Sequence, residues 1–596
     1  MRCILLIIFC ITCFLSYSQD SKLAENYMDQ GEYNKALSIY KKIYEQNRSN
    51  PRTIYNIIEV YQQLERYDSA DSLIDIAQRI SPRNKQFIIE KGYNATLQGK
   101  DSLATLYYDA AIKVIDSMPN LTYQIARRFE ERNELDEAIE AFEKGMAINE
   151  KLNYNYQLAR LYGEQGDLEK MFDANIKLIE QNAAYRPRAQ ALFSQYVTDD
   201  AENEGNQLLR KVLLLRLRGN PDPVYNQLLS WLFVQQKDFK KAFIQEKAIY
   251  KREETNMNNI QDLVETAIDE NDLEAADEIL DYMIEETQSI NVRYLAQVLK
   301  IRLKANAAAA SEYEFINQEY EKLLATYGAE KETFRLQLDY ANFLAFKNNN
   351  AAKASDLLTQ LEKTNLSKFQ KADVKMLLAD ILVLQEQFNR ALIFYSQIQN
   401  DLPNDLRSQE SQFKVARTSY YQGDFPWSLT QLKVLRSAAS KLIANDAMEL
   451  SLVIADHSLE DTTFVALKAF AKAELKQYQN KRAEAITLYD RLLLDHKGDP
   501  IEDEALLNQA KLYEIEGNFE KARDNYQTII DNYSDGILAD DAHYRLGLLY
   551  QEQLADPDKA KALFEKVIFS YADSIHFVDA RRRYRRLRGD NNEKAF

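Results

Sequence analysis

A chain of 596 residues with 46% hydrophobic residues can bury a large core, and its net charge of −17 argues against a nucleic-acid binder, which should be basic. All three cysteines, Cys3, Cys10 and Cys13, lie in the first 18 residues, so the remainder has no thiol for disulfides, metal ligation or nucleophilic attack. Only 15 glycines and 10 prolines punctuate the chain, mostly where one helix should end or the next begin, which points to helices joined by tight linkers.

Residues 1–18 read as a secretory signal peptide: Arg2, an apolar run from Ile4 to Leu15, and Ser16-Tyr17-Ser18 as a small-residue cleavage site. The run is shorter than the roughly 20 apolar residues of a membrane span, so a mature chain beginning at Gln19 is expected. Lipidation at Cys13 is the alternative, but Cys10-Ile-Thr is a poor match to the segment that should precede an acylated cysteine.

Beyond the leader the sequence repeats. Repeat one (20–50) carries Ala24, Tyr27, Ala36 and Tyr40; repeat two, from Pro51, carries Tyr61, Ala70 and Ala77; repeat three (84–118) keeps Gly92, Ala104, Tyr108 and Ala111. Repeats four and five set the pattern, because Tyr123-Gln-Ile-Ala-Arg127 returns as Tyr156-Gln-Leu-Ala-Arg160 after 33 residues. Small residues at positions eight and twenty of a unit of about 34 let two antiparallel helices approach closely, and aromatics at eleven and twenty-four fill the space beside the crossing.

From Ala183 to Asn220 the template fades into a candidate hinge closed by Asn220-Pro-Asp-Pro223. Pairs resume at 224–252 and 257–288, loosen over 291–327, and continue through 333–363, 368–399 and 405–438. The segment 440–457 adds one helix-length pattern without an obvious partner. A three-residue turn recurs within the pairs, at Gly31-Glu-Tyr33, Gly166-Asp-Leu168, Lys237-Asp-Phe239, Asn271-Asp-Leu273, Gly423-Asp-Phe425 and Gly517-Asn-Phe519. Its first residue should close a helix in the left-handed conformation and its second should cap the next. After 440 the period lengthens: Ala485-Ile-Thr-Leu-Tyr489, Ala522-Arg-Asp-Asn-Tyr526 and Ala560-Lys-Ala-Leu-Phe564 align at steps of 37 and 38. The final helix, 575–588, should cap the stack through Phe577, Ala580, Tyr584 and Leu587, with six arginines around that face. The expected divisions are a signal peptide 1–18 and arrays 19–220, 221–439 and 440–596.

The pattern resembles the tetratricopeptide repeat (TPR) family, and the resemblance covers nearly all of the chain after the leader. It implies an all-α, right-handed superhelical solenoid of about fourteen antiparallel helix pairs. The C-terminal repeats are similar to TPR proteins of the Gram-negative envelope, such as the periplasmic partner of the Tol-Pal system and the TPR lipoprotein of outer-membrane protein assembly. That likeness implies an exported, periplasmic, outer-membrane-associated scaffold; an assembly chaperone holding unfolded clients is the alternative.

In this architecture set positions of each first helix line a concave groove. They are occupied by Tyr55, Asn56 and Glu59, by Glu90 and Tyr93, by Tyr123, Gln124 and Arg127, and by Tyr156, Gln157 and Arg160. Aromatics, amides and arginines suit an extended peptide or a helix from an envelope protein, although the tyrosines could equally pack one first helix on the next. Arg582, Arg583 and Arg586 are either cap residues or a docking surface for lipid headgroups or an acidic partner. Membrane contact is otherwise expected only indirectly or through a complex. His457, His496, His543 and His576 lack the spacing of metal ligands, and no phosphate loop or nucleophile elbow is present, so no enzyme activity, cofactor or metal is expected.

Overall fold

The computed structural model describes residues 20–253, 256–438, 440–457 and 463–589; the expected signal peptide and cleavage site lie outside them. Among the described residues every regular element is helical, and the helices run as fifteen antiparallel pairs and two single helices. The three-residue turns explain the regularity. Gly31, Gly166, Lys237, Asn271, Gly423 and Gly517 all have φ between +55° and +86°. Where the second turn residue is Asp, its carboxylate caps the following helix: Asp167 accepts from the Lys170 amide, Asp238 from Lys241, Asp272 from Ala275 and Asp424 from Trp427, at 3.0–3.2 Å. Glu32 and Asn518 stand in the same place without a side-chain cap.

The described chain forms two compact units that divide between Ile279 and Leu280. In the first unit the close helix crossings fall on Ala36, Ala70, Ala126 and Ala138, each fully buried. Repeat three uses Gly92 at this position because the Tyr108 ring lies on the helix, and a Cβ on Gly92 would come within 2.3 Å of it. Repeat six is irregular: its first helix, Arg186–Phe193, is only 8 residues long, and an irregular segment leads to Glu204–Gly219. That segment is held in place. Buried Asn206 donates to the Thr198 and Asp200 carbonyls (2.8 and 2.5 Å), and the Tyr196 carbonyl sits where a Cβ on Gly205 would be, 2.3 Å away.

In the second unit the unpartnered pattern at 440–457 becomes the single helix Lys441–Asp456. It starts beside the first helix of repeat twelve, where the Ser440 amide donates to Gln409 Oε1 (2.9 Å). It ends beside that of repeat fourteen, with His457 Nε2 3.1 Å from Glu504 Oε1. The helix that follows, Val465–Tyr478, runs back over the first helices of repeats ten to twelve, Phe334–Phe346, Lys368–Leu384 and Leu406–Gln422. The Tyr478 ring lies 5.9 Å from those of Phe346 and Tyr421, Gln479 donates to the Leu384 carbonyl (3.0 Å), and Lys476 pairs with Glu386 (2.8 Å). Leu475 is buried among Ala372, Met376, Ala379 and Val383. The first-helix face of repeats ten to twelve is thus covered by the chain itself.

Candidate functional site

The candidate residues of repeats two to five divide into an inner and an outer set. Glu90, on the helix Gln86–Thr96, is fully buried and withdrawn from any partner. Its carboxylate accepts from Arg128 Nε (2.5 Å) and from Arg132 Nη2 and Nε (2.7 and 3.1 Å), both arginines coming from the next repeat. The Arg128 guanidinium lies 4.0 Å over the Tyr55 ring and that of Arg132 lies 4.9 Å over Tyr93. Burial works against the charge on Arg132, but the Glu90 carboxylate outweighs it and the net pKa is raised. Glu59 adds a longer contact to Arg132 at 3.7 Å. The Tyr55 hydroxyl lies 3.3 Å from Asn84 Oδ1 and 3.0 Å from Gln86 Oε1, and burial raises its pKa, so the phenol stays neutral. Asn56 is half-buried beside Tyr40. Tyr55 and Tyr93 therefore contact side chains of the next repeats.

The outer set belongs to repeats four and five. Tyr123 and Tyr156 are 48% and 45% exposed, Gln124 and Arg127 are exposed, and Gln157 is half-buried. Arg127 and Arg160 converge on Glu130 (2.9 and 2.5 Å), and Arg160 also pairs with Glu164 (2.7 Å). The Gln124 carbonyl accepts from Gln86 (2.7 Å).

Beside this set lies a cavity of 390 Å³ between the helices Asn155–Gln165, Leu168–Gln181 and Arg186–Phe193. It exists because small residues, Ala159, Gly163 and Ala189, face one another from two of these helices across Met171, Leu178 and Leu192. Tyr156, Tyr185 and Tyr196 wall it, and Arg160 and Arg188 stand in its lining. Arg188 lies 4.9 Å over the Tyr156 ring and donates to its hydroxyl (2.9 Å); no carboxylate pairs with it among the described residues. The space is within the range of small ligand pockets, and its lining is mostly apolar, with Asn175 and the Arg160–Glu164 pair beside Arg188, so it can take a large apolar side chain with a carboxylate next to Arg188. Sequence reasoning found Tyr156 and Arg160 but missed Arg128, Arg132 and Arg188. The first two lie one and five positions beyond Arg127, and Arg188 lies where the repeat template fades.

At the C-terminus, Arg583 is turned inward to Asp579 (2.6 Å), Glu552 (2.9 Å) and Gln551 (3.0 Å). Arg582 also pairs with Asp579, and Arg586 is exposed.

Tetratricopeptide-repeat models match residues 27–87, 470–537 and 541–574. These matches show tetratricopeptide repeats at the three segments, and the helix pair they form recurs in both units. A TPR repeat-containing protein of Methanocaldococcus jannaschii is 30% identical over 174 residues, a match that takes in 28% of this chain and 30% of the relative's length. Among solved structures, Naa15/Naa10 bound to HypK-THB matches with 12% identity over 96% of this chain and 97% of that one, at a TM-score of 0.26. The APC/C hetero-tetramer Cut9-Hcn1 matches with 12% identity over 96% and 98%, at a TM-score of 0.22.

Proposed function

We propose that this chain is an exported scaffold of a cell-envelope complex, and that its first unit holds a protein partner, as an extended segment or a helix, on the first-helix face of repeats four to six. One observation carries the choice of face. In the second unit the helix Val465–Tyr478 covers the corresponding surface, whereas Tyr123, Gln124, Tyr156 and the cavity beside Arg188 remain open. The exposed tyrosines offer area at low entropic cost, Gln124 offers an amide for a partner's main chain, and the cavity offers a seat for an apolar anchor. Export and envelope membership are supported by the leader at 1–18 and by the long-period repeats after 480.

A photo-crosslinking amino acid at Gln124 or Leu192, activated in intact cells, tests the face. A few stoichiometric envelope partners are expected; a broad set of outer-membrane clients would favour the chaperone reading, and no crosslink at either position would remove this face. Gly163→Leu should weaken capture, because a side chain there meets only Met171, at 3.6 Å, and extends into the cavity. Sequencing of the exported protein should begin at Gln19, and an acylated Cys13 at the terminus would replace the soluble form with a lipoprotein.

A further inference from the structure

The last described turn and helix carry an apolar and a basic surface side by side. Phe569, Ile575 and Val578 are 74%, 87% and 77% exposed, and Ile537, at 67%, holds the place of Ile575 in the preceding turn. The Tyr571 hydroxyl donates to the Ser534 carbonyl (3.0 Å), which sets the two turns next to each other. His576 secures the later turn from inside: its Nε2 is 2.8 Å from Asp541 Oδ1 and its ring stacks on Tyr544 at 4.1 Å. Tyr571, Ser574 and His576 of this turn are engaged in hydrogen bonds, Asp573 is exposed, and the large apolar side chains stand in solvent. Such a cluster marks an interaction surface, unlike a single exposed leucine.

The helix Phe577–Arg588 continues the same edge. At 100° per residue, Val578, Arg582 and Arg585 point one way with Arg581 and Arg586 on either side. Buried Ala580 and the packed Tyr584 and Leu587 point the other way, with Arg583 beside them. Among the described residues no ion pair holds Arg581, Arg585 or Arg586.

We infer that this edge docks on an anionic lipid surface, with Phe569, Ile575 and Val578 entering the boundary between headgroups and acyl chains and the outward arginines pairing with lipid phosphates. The shape favours a bilayer over a protein: apolar side chains on the tips of turns can enter a fluid interface directly, whereas a protein would need a matching groove. The charge favours it as well. A chain of net charge −17 has no general attraction to an anionic surface, so attachment depends on a local basic surface such as this edge. No described helix is long and apolar enough to cross a membrane, so the association is peripheral.

The test is cosedimentation of residues 19–596 with vesicles of phosphatidylglycerol and phosphatidylcholine against vesicles of phosphatidylcholine alone. Binding to the anionic vesicles only, weakening as salt is added, is expected. Replacing Arg581, Arg582 and Arg586 together by glutamine should lower that partition about 100-fold, and replacing Phe569, Ile575 and Val578 by serine about 10-fold or more. Arg583→Gln, a change on the inward side, should leave it nearly unaltered, and circular dichroism of each variant reports folding. Equal binding to both vesicle types would overturn the inference. So would full vesicle binding by the serine variant, which would leave only unspecific charge attraction, or light scattering that shows the wild-type edge pairing two copies of the chain while neither vesicle is bound.

Discussion

Glu90 is the residue on which the packing of repeats three and four turns, because a fully buried carboxylate answers two guanidinium groups from the neighbouring helix. Glu90→Ala leaves Arg128 and Arg132 without their shared counter-ion and should cost about 3–5 kcal/mol of stability in urea unfolding. Arg127→Ala removes an exposed arginine from the enclosed Glu130 carboxylate, which keeps its pair with Arg160, and should cost under about 1 kcal/mol. The sequence already showed acidic, aromatic and basic residues at matching helix positions. It could not show which arginine turns inward, since Arg127 and Arg128 differ by 100° around the helix and the deciding partner is 38 residues away. A second prediction concerns His543, which is buried with Nδ1 2.7 Å from the Ala539 carbonyl. Burial lowers its pKa from the ordinary value of 6.5, more than the carbonyl raises it. The folded state therefore favours the neutral ring; the stability tied to it is complete above pH 6.5 and is lost as pH falls through the lowered folded value. His543→Gln can donate to the same carbonyl but cannot titrate, so its melting temperature should fall less than the wild type's between pH 7.5 and 5.5. Parallel curves would show that the ring does not set this slope.

At the scale of helices, the pairs were legible because each depends on residues within one period: small residues at the crossing, an aromatic beside it, and a left-handed turn between. What the helices enclose was not legible, because the cavity of repeats five and six is made by side chains that are missing, Ala159, Gly163 and Ala189, on helices up to 30 residues apart. The helix at 441–456 was likewise visible as a pattern, but its place across three repeats follows from tertiary contacts alone. The distinction yields a contrast between two positions that look equivalent in sequence. Ala126 is fully enclosed, and Ala126→Trp should destabilise the chain by about 1–3 kcal/mol or more through overpacking. Ala159 borders the cavity, so Ala159→Trp can place its ring there and should melt close to the wild type while losing partner capture. Equal losses of stability would mean that the space beside Ala159 cannot open to a ring.

For the molecule as a whole, the proposed division of work rests on one contrast: Val465–Tyr478 lies over the first helices of repeats ten to twelve, whereas Tyr123 and Tyr156 of repeats four and five stand 48% and 45% exposed. A solenoid is held together by contacts between neighbouring repeats, and the turn between the helices Leu273–Glu286 and Ile290–Ala307 joins two helix pairs, so a cut there leaves every pair whole. Residues 19–289 and 290–596, produced separately, should each be helical by circular dichroism and melt cooperatively. The fragment 19–289 should retain the partner recovered through the crosslink at Gln124, since Tyr123, Tyr156, Arg188 and the cavity are all within it. The fragment 290–596 should not, because Tyr478, Leu475 and Gln479 fill the matching surface of repeats ten to twelve. In the full chain, changing Tyr123, Arg127 and Arg160 to alanine should reduce capture with helicity intact, and changing Arg582, Arg583 and Arg586 to glutamine should leave capture nearly unchanged. Capture by 290–596 alone would move recognition into the second unit, and the exposed tyrosines of repeats four and five would then be ordinary surface.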